Sequence, residues 1–245
     1  MNAGKNIVII PTYNEKENIE CIIRYVLNLS LPFDILVVDD NSPDGTREIV
    51  KRIQSEFPER LFLLEREGKL GLGTAYLFGF QWSLERGYSK ICEMDADFSH
   101  DPNDLLRLSE ACDKGCDLAI GSRYVSGITV INWPIGRVLM SFFASRYVRL
   151  ITRMPVQDPT SGFVCYRREV LESINFNKIR FKGYAFQIGM KFYTWKLGFN
   201  LSEIPIIFKD RTLGVSKMSG GIFKEAIVGV LLMKIRSLFS HYYRK

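Results

Sequence analysis

The sequence predicts an α/β fold: a mostly parallel, doubly wound sheet with helices on its faces and an amphipathic helix at the C-terminal end. Three observations predict it. Short apolar runs rich in β-branched residues alternate with segments of helical period through the first half of the chain. Those runs stop at Pro, Asp, Asn or Gly, residues that end strands and open helices. Acidic and polar residues gather at the same stops, and in a parallel sheet ligands bind beyond the carboxyl ends of the strands.

A chain of 245 residues is long enough to bury one large core. One domain over residues 1–220 is expected, with a terminal helical segment over 221–245. Apolar residues make up 47% and charged residues 24%, the usual proportions of a globular protein. A net charge of +6 suits nucleic acid, an anionic membrane surface or a phosphorylated substrate, and does not choose among them. The five cysteines (Cys21, Cys92, Cys112, Cys116 and Cys165) are odd in number and lack zinc spacing, so reduced thiols of a cytoplasmic protein are expected. Met1-Asn2-Ala3-Gly4-Lys5 leads into a strand-like run rather than a secretory signal. No stretch of about 18 apolar residues is present to span a bilayer.

The elements follow in order. Asn6–Ile10 is a β-rich run closed by Pro11. From Glu15 to Leu29, apolar residues at 19, 22, 23, 26 and 27 repeat with a helical period. Ile35–Val38 is a second strand, ended by Asp39-Asp40-Asn41-Ser42-Pro43-Asp44-Gly45, where Ser42 or Pro43 is expected to start a helix reaching Glu56. Leu61–Leu64 is a third strand, followed by the glycines of 68–73 and a helix to Arg86. Lys90–Met94 and Asp117–Ile120 are the fourth and fifth strands, and Pro134–Arg153 reads as an amphipathic helix.

The fourth strand runs into Asp95-Ala96-Asp97, two carboxylates that repel unless something positive joins them. Such a pair fits a solvated loop, or a hard divalent cation that neutralises a diphosphate. Capping explains Asn41, Ser42 or Asp44, but not two adjacent carboxylates, Asp39 and Asp40, closing an apolar strand. An Asp there can accept hydrogen bonds from a base or a ribose. Lys69-Leu70-Gly71-Leu72-Gly73-Thr74-Ala75 looks like a fragment of a phosphate loop but lacks the Walker order, and a plain turn into a helix explains it as well. Cations face this acidic edge. Arg123 follows the fifth strand, while Arg137 and Ser141 lie one helical turn apart, a spacing at which an Arg and a hydroxyl can clamp one phosphate. Ordinary solvated arginine is the alternative. Arg211 and Lys217 stand six residues apart in a glycine-containing segment that could close over a diphosphate.

Eight motifs occur in order: PTYNE (11–15), DDNSPDGT (39–46), KLGLGTAY (69–76), DADFSHDP (95–102), GSRY (121–124), DPTSGF (158–163), GYAFQ (183–187) and DRTLGVSKM (210–218). Together they make the chain resemble the dolichol- or polyprenol-phosphate mannose synthases, inverting family-two glycosyltransferases of GT-A (Rossmann-like) fold. The resemblance implies transfer of mannose from GDP-mannose to polyprenyl phosphate with inversion, giving polyprenyl β-mannosyl phosphate and GDP. It implies that Pro11, Tyr13, Glu15, Val38 and Asp40, with Ala96, hold the nucleotide sugar. Asp95 and Asp97 would bind Mg²⁺ or Mn²⁺ on the diphosphate, with Ser99 as a further candidate ligand. Arg211 and Lys217 would grip the diphosphate, and Arg123, Arg137 and Ser141 would receive the lipid phosphate, Arg123 also reaching the donor. Catalysis would then fall to Asp95, Asp97 and Arg211. A lipid phosphate is already anionic, so neither His100 nor His241 is expected to act as a proton shuttle. The chain departs from the family at Ser99, where Gln is frequent, and at Gly189, where Glu is usual.

Near the C-terminus, AIVGVLLM (226–233) between Lys224 and Lys234 is too short to cross about 30 Å of hydrocarbon. A helix lying in the membrane interface and a helix packed on the sheet both fit. Peripheral attachment to the cytoplasmic face of a membrane, directly or through a separate membrane protein, is expected. The competing readings are transfer from UDP-glucose or another nucleotide sugar, and a relative that has lost turnover. Nucleic acid is not expected as a partner, because strand-end carboxylates repel its phosphates.

Overall fold

A computed structural model describes residues 4–179, 183–211 and 221–239. Its strands are β1 (Asn6–Thr12), β2 (Phe33–Asp39), β3 (Leu61–Glu65), β4 (Lys90–Glu93), β5 (Leu118–Ser122), β6 (Val130–Ile131), β7 (Val164–Arg167), β8 (Leu201–Pro205) and β9 (Phe208–Lys209). The helices are α1 (Ile19–Leu27), α2 (Thr46–Glu56), α3 (Leu72–Glu85), α4 (Asp104–Asp113), α5 (Ile135–Thr152), α6 (Arg168–Ser173), α7 (Tyr184–Lys196) and α8 (Gly221–Leu238). Seven strands form the main sheet in the order β3-β2-β1-β4-β7-β5-β8, and β6 pairs with β9 in a small parallel ribbon.

Strands β1 and β2 are apolar at successive positions because both faces of the sheet are covered. Side chains alternate between the faces. Ile7, Ile9, Leu36 and Val38 pack with Tyr76 and Phe80 of α3 and Phe186 of α7. Val8, Ile10, Ile35 and Val37 point the other way, onto Ile22, Ile23 and Val26 of α1, Val50 and Ile53 of α2, and Leu105 and Leu108 of α4. Helix α3 approaches β1 so closely that a Cβ on Gly79 would lie 2.9 Å from Ile9 Cγ2. Only glycine fits there without displacement.

Two local expectations are corrected, and the expected mostly parallel sheet holds one reversed strand. Helix α2 starts at Thr46 rather than at Ser42 or Pro43. The Ser42 N–H and hydroxyl are drawn to the Asp39 carboxylate (2.8 and 2.5 Å), and Gly45, with φ of 94°, turns the chain into the helix. Helix α1 starts at Ile19, because the Glu15 carbonyl first accepts the Asn18 and Ile19 N–H groups in a turn. The sheet is not a plain parallel series: β7 runs antiparallel between β4 and β5, so residues 158–163 enter it from the carboxyl edge of its neighbours. Strand β8 then restores the parallel direction beside β5.

Helix α8 packs on α7 and α5, with Val230 and Met233 buried and the Tyr147 hydroxyl donating to the Ile227 carbonyl at 3.1 Å. No described helix is long and apolar enough to cross a membrane. All five cysteines are free thiols, and only Cys21 is exposed.

Candidate active site

At the carboxyl edge of the sheet lies a cleft of about 450 Å³ whose lining includes Pro11, Tyr13, Glu15, Asp40, Asp95, Ala96, Asp97, Arg123 and Arg211. Residues from five chain segments thus converge. Val38 is fully buried in β2 beside Pro11, behind the cleft wall. Lys217 lies outside the described residues.

The two carboxylates that end β2 divide the work. Asp39 is fully buried and accepts from the Thr12 hydroxyl (2.9 Å) and from Ser42, which ties the ends of β1 and β2 together. Asp40 is the one that faces the cleft. Burial and the Asp39 charge push its pKa up, while Arg66 opposes this from 3.0 Å. Arg66, itself buried, also donates to the Thr74 hydroxyl of α3 at 2.9 Å, fixing Asp40 between three elements. Turns with positive φ at Asn14 and Asn41 bring the segments after β1 and β2 to the cleft, a conformation Asn tolerates well. Lys69 adds a cation over the Tyr13 ring, 5.0 Å from its centroid.

After β4 the chain turns through Phe98, whose φ of 58° is strained for a bulky residue and marks a site of function. Asp97 accepts from the Ser99 N–H (3.1 Å) and hydroxyl (2.5 Å) and is paired with Arg211 Nη2 at 2.9 Å. Burial alone would raise its pKa, but the Ser99 donors and the Arg211 charge hold it below the usual carboxylate range. Asp95 stands on the floor of the cleft, open on that side and walled by protein elsewhere. Burial of its inner side and the Asp97 charge push its pKa up, against the opposing charge of Arg211. His100 accepts the Asp95 N–H at Nδ1 (3.3 Å) and stacks on Phe163 at 4.7 Å. Burial pushes the His100 pKa down to about 4, so the ring is neutral and holds the Asp95 backbone in place.

Two aspartates one residue apart, one fully paired and one poorly neutralised, are hard oxygen donors suited to Mg²⁺ or Mn²⁺. Among the described residues no group of three or more His, Cys, Asp or Glu gathers at one point. Asp95 and Asp97 are the residues that would hold such an ion. Ser99 orients Asp97 through its hydroxyl, from the edge of the pair.

Across the cleft the charges are positive. Arg123 makes a two-pronged ion pair with Asp158 (Nε 2.6 Å, Nη2 2.7 Å) and donates to the Thr160 hydroxyl at 2.8 Å. Asp158 is fully buried, and although burial would raise its pKa, Arg123 holds it low. Arg137 lies over the Trp133 ring at 4.1 Å and pairs with Asp210 at 2.9 Å. The Arg123 guanidinium is 5.7 Å from the centroid of the same Trp133 ring. Ser141 accepts from the Tyr124 hydroxyl at 2.7 Å, next to Arg123 in sequence. Trp133 and Tyr124 thereby link Arg137 and Ser141 to Arg123, which lines the cleft while the other two lie outside its lining.

Thr160, Ser161, Gly162 and Gln187 in the wall belong to the DPTSGF and GYAFQ motifs without a role assigned from sequence, whereas Phe208 in the wall and Glu93 and Lys191 behind it carry no sequence signal that singles them out. The Gln187 amide donates to the buried Glu93, whose pKa burial pushes up to about 7. Lys191, fully enclosed, donates to the Ser161 carbonyl at 2.6 Å, and burial pushes its pKa down to about 8. Gly189 is buried in α7, two residues beyond Gln187 and so on the opposite side of the helix.

The fold is that of the GT-A enzymes. A solved structure of glucosyl-3-phosphoglycerate synthase from Mycobacterium tuberculosis with Mn²⁺, uridine diphosphate and glucosyl-3-phosphoglycerate superposes with a TM-score of 0.69 at 20% identity, over 95% of this chain and 80% of that one. The same enzyme with Mg²⁺ and uridine diphosphate matches with a TM-score of 0.69 at 21% identity, over 95% and 79%. The chain belongs to glycosyl transferase family 2, whose family model matches residues 7–174. It is 48% identical to the polyprenol monophosphomannose synthase of Mycolicibacterium smegmatis over 95% of this chain and 88% of the relative. It is 46% identical to the undecaprenyl-phosphate mannosyltransferase of Micrococcus luteus over 91% of each.

Proposed function

We propose that this protein transfers mannose from GDP-mannose to the phosphate of a polyprenyl phosphate, with inversion, releasing GDP and forming a polyprenyl β-mannosyl phosphate. The observation that carries it is the polarity of the cleft. The diacid and Arg211 line it together with Arg123, and beyond the lining Arg137, over Trp133, and Ser141, on Tyr124, continue the Arg123 side. The names of both relatives, a polyprenol monophosphomannose synthase and an undecaprenyl-phosphate mannosyltransferase, support the sugar and the acceptor class.

Pro11, Tyr13, Glu15, Asp40 and Ala96 line the nucleoside side, with Val38 behind them. Mg²⁺ or Mn²⁺, when held by Asp95 and Asp97 with Ser99 beside them, supplies the positive charge that lets the diphosphate leave. Arg211 and Lys217 stabilise the same negative charge from the protein side. Arg123, Arg137 and Ser141 hold the acceptor phosphate with one oxygen toward the anomeric carbon. A new bond forms from that oxygen to the carbon, and the carbon–oxygen bond to GDP breaks with its electron pair going to GDP. The phosphate is already anionic, so positioning replaces general-base catalysis, consistent with a neutral, structural His100.

Exposed apolar side chains on two adjoining helices support membrane contact at the acceptor side. Leu139 and Phe143 on α5 and Val228, Leu232 and Ile235 on α8 face outward, where a lipid interface would cover them. Residues 1–220 would then carry the transfer chemistry and 221–245 part of the membrane contact, on the cytoplasmic face where nucleotide sugars are held.

The test is transfer of label from radiolabelled GDP-mannose to a short-chain polyprenyl phosphate in detergent, with and without EDTA, with UDP-glucose in parallel. Metal-dependent, acid-labile lipid label from GDP-mannose alone is expected. Label from UDP-glucose alone would move the donor, and label from neither would overturn the activity.

A further inference from the structure

Strand β9 is only two residues long, yet its backbone is bonded to both sides of the cleft. The Lys209 N–H donates to the Ser99 carbonyl at 3.3 Å, in the turn that carries Asp97. The Phe208 N–H donates to the Thr129 carbonyl at 2.9 Å, and Phe208 pairs with Val130 of β6. Thr129 is tied in turn to Arg123, because its N–H and its hydroxyl both donate to the Arg123 carbonyl, at 3.0 and 3.1 Å.

The Phe208 side chain repeats this bridge in the cleft, whose lining it joins. Its ring meets the His100 ring edge to face, with centroids 5.4 Å apart at 78°, and the Trp133 ring in the same manner at 5.2 Å and 67°. The Arg123 guanidinium lies 5.6 Å from its centroid. His100 is the ring whose Nδ1 accepts the Asp95 N–H, and Trp133 is the ring that carries Arg137. One phenyl group thus meets the ring that fixes the diacid backbone and the groups expected at the acceptor phosphate. Core packing does not explain its position: Phe208 is only half-buried and belongs to neither of the two apolar clusters that cover the sheet. Edge-to-face and cation–π contacts act through the ring quadrupole, which an aliphatic side chain lacks.

Transfer requires the acceptor oxygen to stand about 3–3.5 Å from the anomeric carbon, in line with the leaving group. We infer that Phe208 is a positioning residue that sets the separation between acceptor phosphate and donor diphosphate, by holding Arg123 and the His100–Asp95 edge at a fixed distance. This rests on the donor and acceptor sites proposed above. Phe208 is not a reacting group, and each substrate binds without it; it governs the alignment of the two together.

The experiment compares Phe208→Leu with Phe208→Tyr in the full chain. It measures kcat and both KM values with GDP-mannose and a short-chain prenyl phosphate, beside a melting curve. Misalignment of two bound substrates appears in kcat rather than in either KM. Phe208→Leu should lower kcat about 30-fold with both KM values within about two-fold of the parent's, in keeping with the cost of a displacement near 1 Å. Phe208→Tyr keeps the ring and should keep kcat within about three-fold. Phe208→Met gives the same comparison should Phe208→Leu fail to fold. Equal losses in the ring and aliphatic variants, an unchanged kcat in the aliphatic one, or a loss confined to one KM would overturn the inference and leave the transfer activity standing. A parent protein that transfers no mannose would instead overturn the activity on which the inference rests.

Discussion

On the donor side of the cleft Asp97 and Asp39 take hydrogen bonds from their own turns before distant partners complete them, whereas on the acceptor side Arg123 and Arg137 are aimed by distant carboxylates. Asp97 is oriented by Ser99, two residues on, and Asp39 by Ser42, three residues on. Arg123, by contrast, is held by Asp158, 35 residues away, and Arg137 by Asp210, 73 residues away. The difference follows from chemistry. A carboxylate can be satisfied by the N–H groups of its own turn, but a guanidinium finds no such ring of local acceptors and must be met by another segment. The donor-side carboxylates are therefore first shaped in short loops and then completed by Thr12, Arg66 and Arg211, while the acceptor-side arginines depend on the finished fold throughout.

The largest expected effect tests the donor side. Asp97→Asn or Asp95→Asn should lower transfer by about 10³-fold or more while leaving thermal stability close to that of the parent, as read by a label-transfer assay beside a melting curve. Retention of more than a tenth of the activity would break the assignment. Next in size, Asp158→Ala leaves Arg123 buried without its partner and should cost about 3–5 kcal/mol in urea unfolding. Adding Arg123→Leu should recover a large part of that loss. If Asp158→Ala costs under about 1 kcal/mol, the acceptor side is less dependent on the long-range pair than the contrast requires. Arg137→Ala lies in a rim pair, so folding should be unchanged while KM for the acceptor rises about ten-fold at constant KM for the donor. An equal rise in both would remove the division into two sides. Smallest of all, Ser141→Ala removes one hydroxyl contact and should raise the acceptor KM about three-fold, the effect of a hydrogen bond worth about 0.5–1 kcal/mol.

The same contrast explains what could be read from the sequence. The strand order up to β5 and the acidic strand ends are local signals, so they stand out as apolar runs stopped by Asp, Asn and Pro. Which of Asp39 and Asp40 faces the cleft is not visible, because it depends on Ser42 turning back onto Asp39 and on Arg66 arriving from the end of β3. The reversed direction of β7 is also hidden, since a four-residue apolar run carries no sign of its direction. Lys191 gives no hint of burial in sequence: a lysine in a helix is normally solvated, and the Ser161 carbonyl, the Gln187 oxygens and the nearby Glu93 make its enclosure tolerable. The pairing of Arg137 and Ser141 could be seen from helical spacing, yet Trp133 and Tyr124, which bring that pair to Arg123, could not.

The reversal of β7 has a consequence for how this scaffold can be altered. Because β5 leaves the sheet and β7 re-enters it at the same edge, residues 123–163 form one continuous excursion that departs and returns at the rim of the cleft. Arg123, Trp133, Arg137, Ser141, Asp158 and Thr160 all belong to it. It is thus a cassette with neighbouring end points, anchored to the remainder through β9, Asp210, Glu203, Lys191, the packing of α5 on α8 and the core side chains Val148, Met154 and Val156. Grafting a cassette of different length or apolar content between Ser122 and Val164 should retune the acceptor while the nucleotide pocket, made by β1, β2 and β4, keeps its shape.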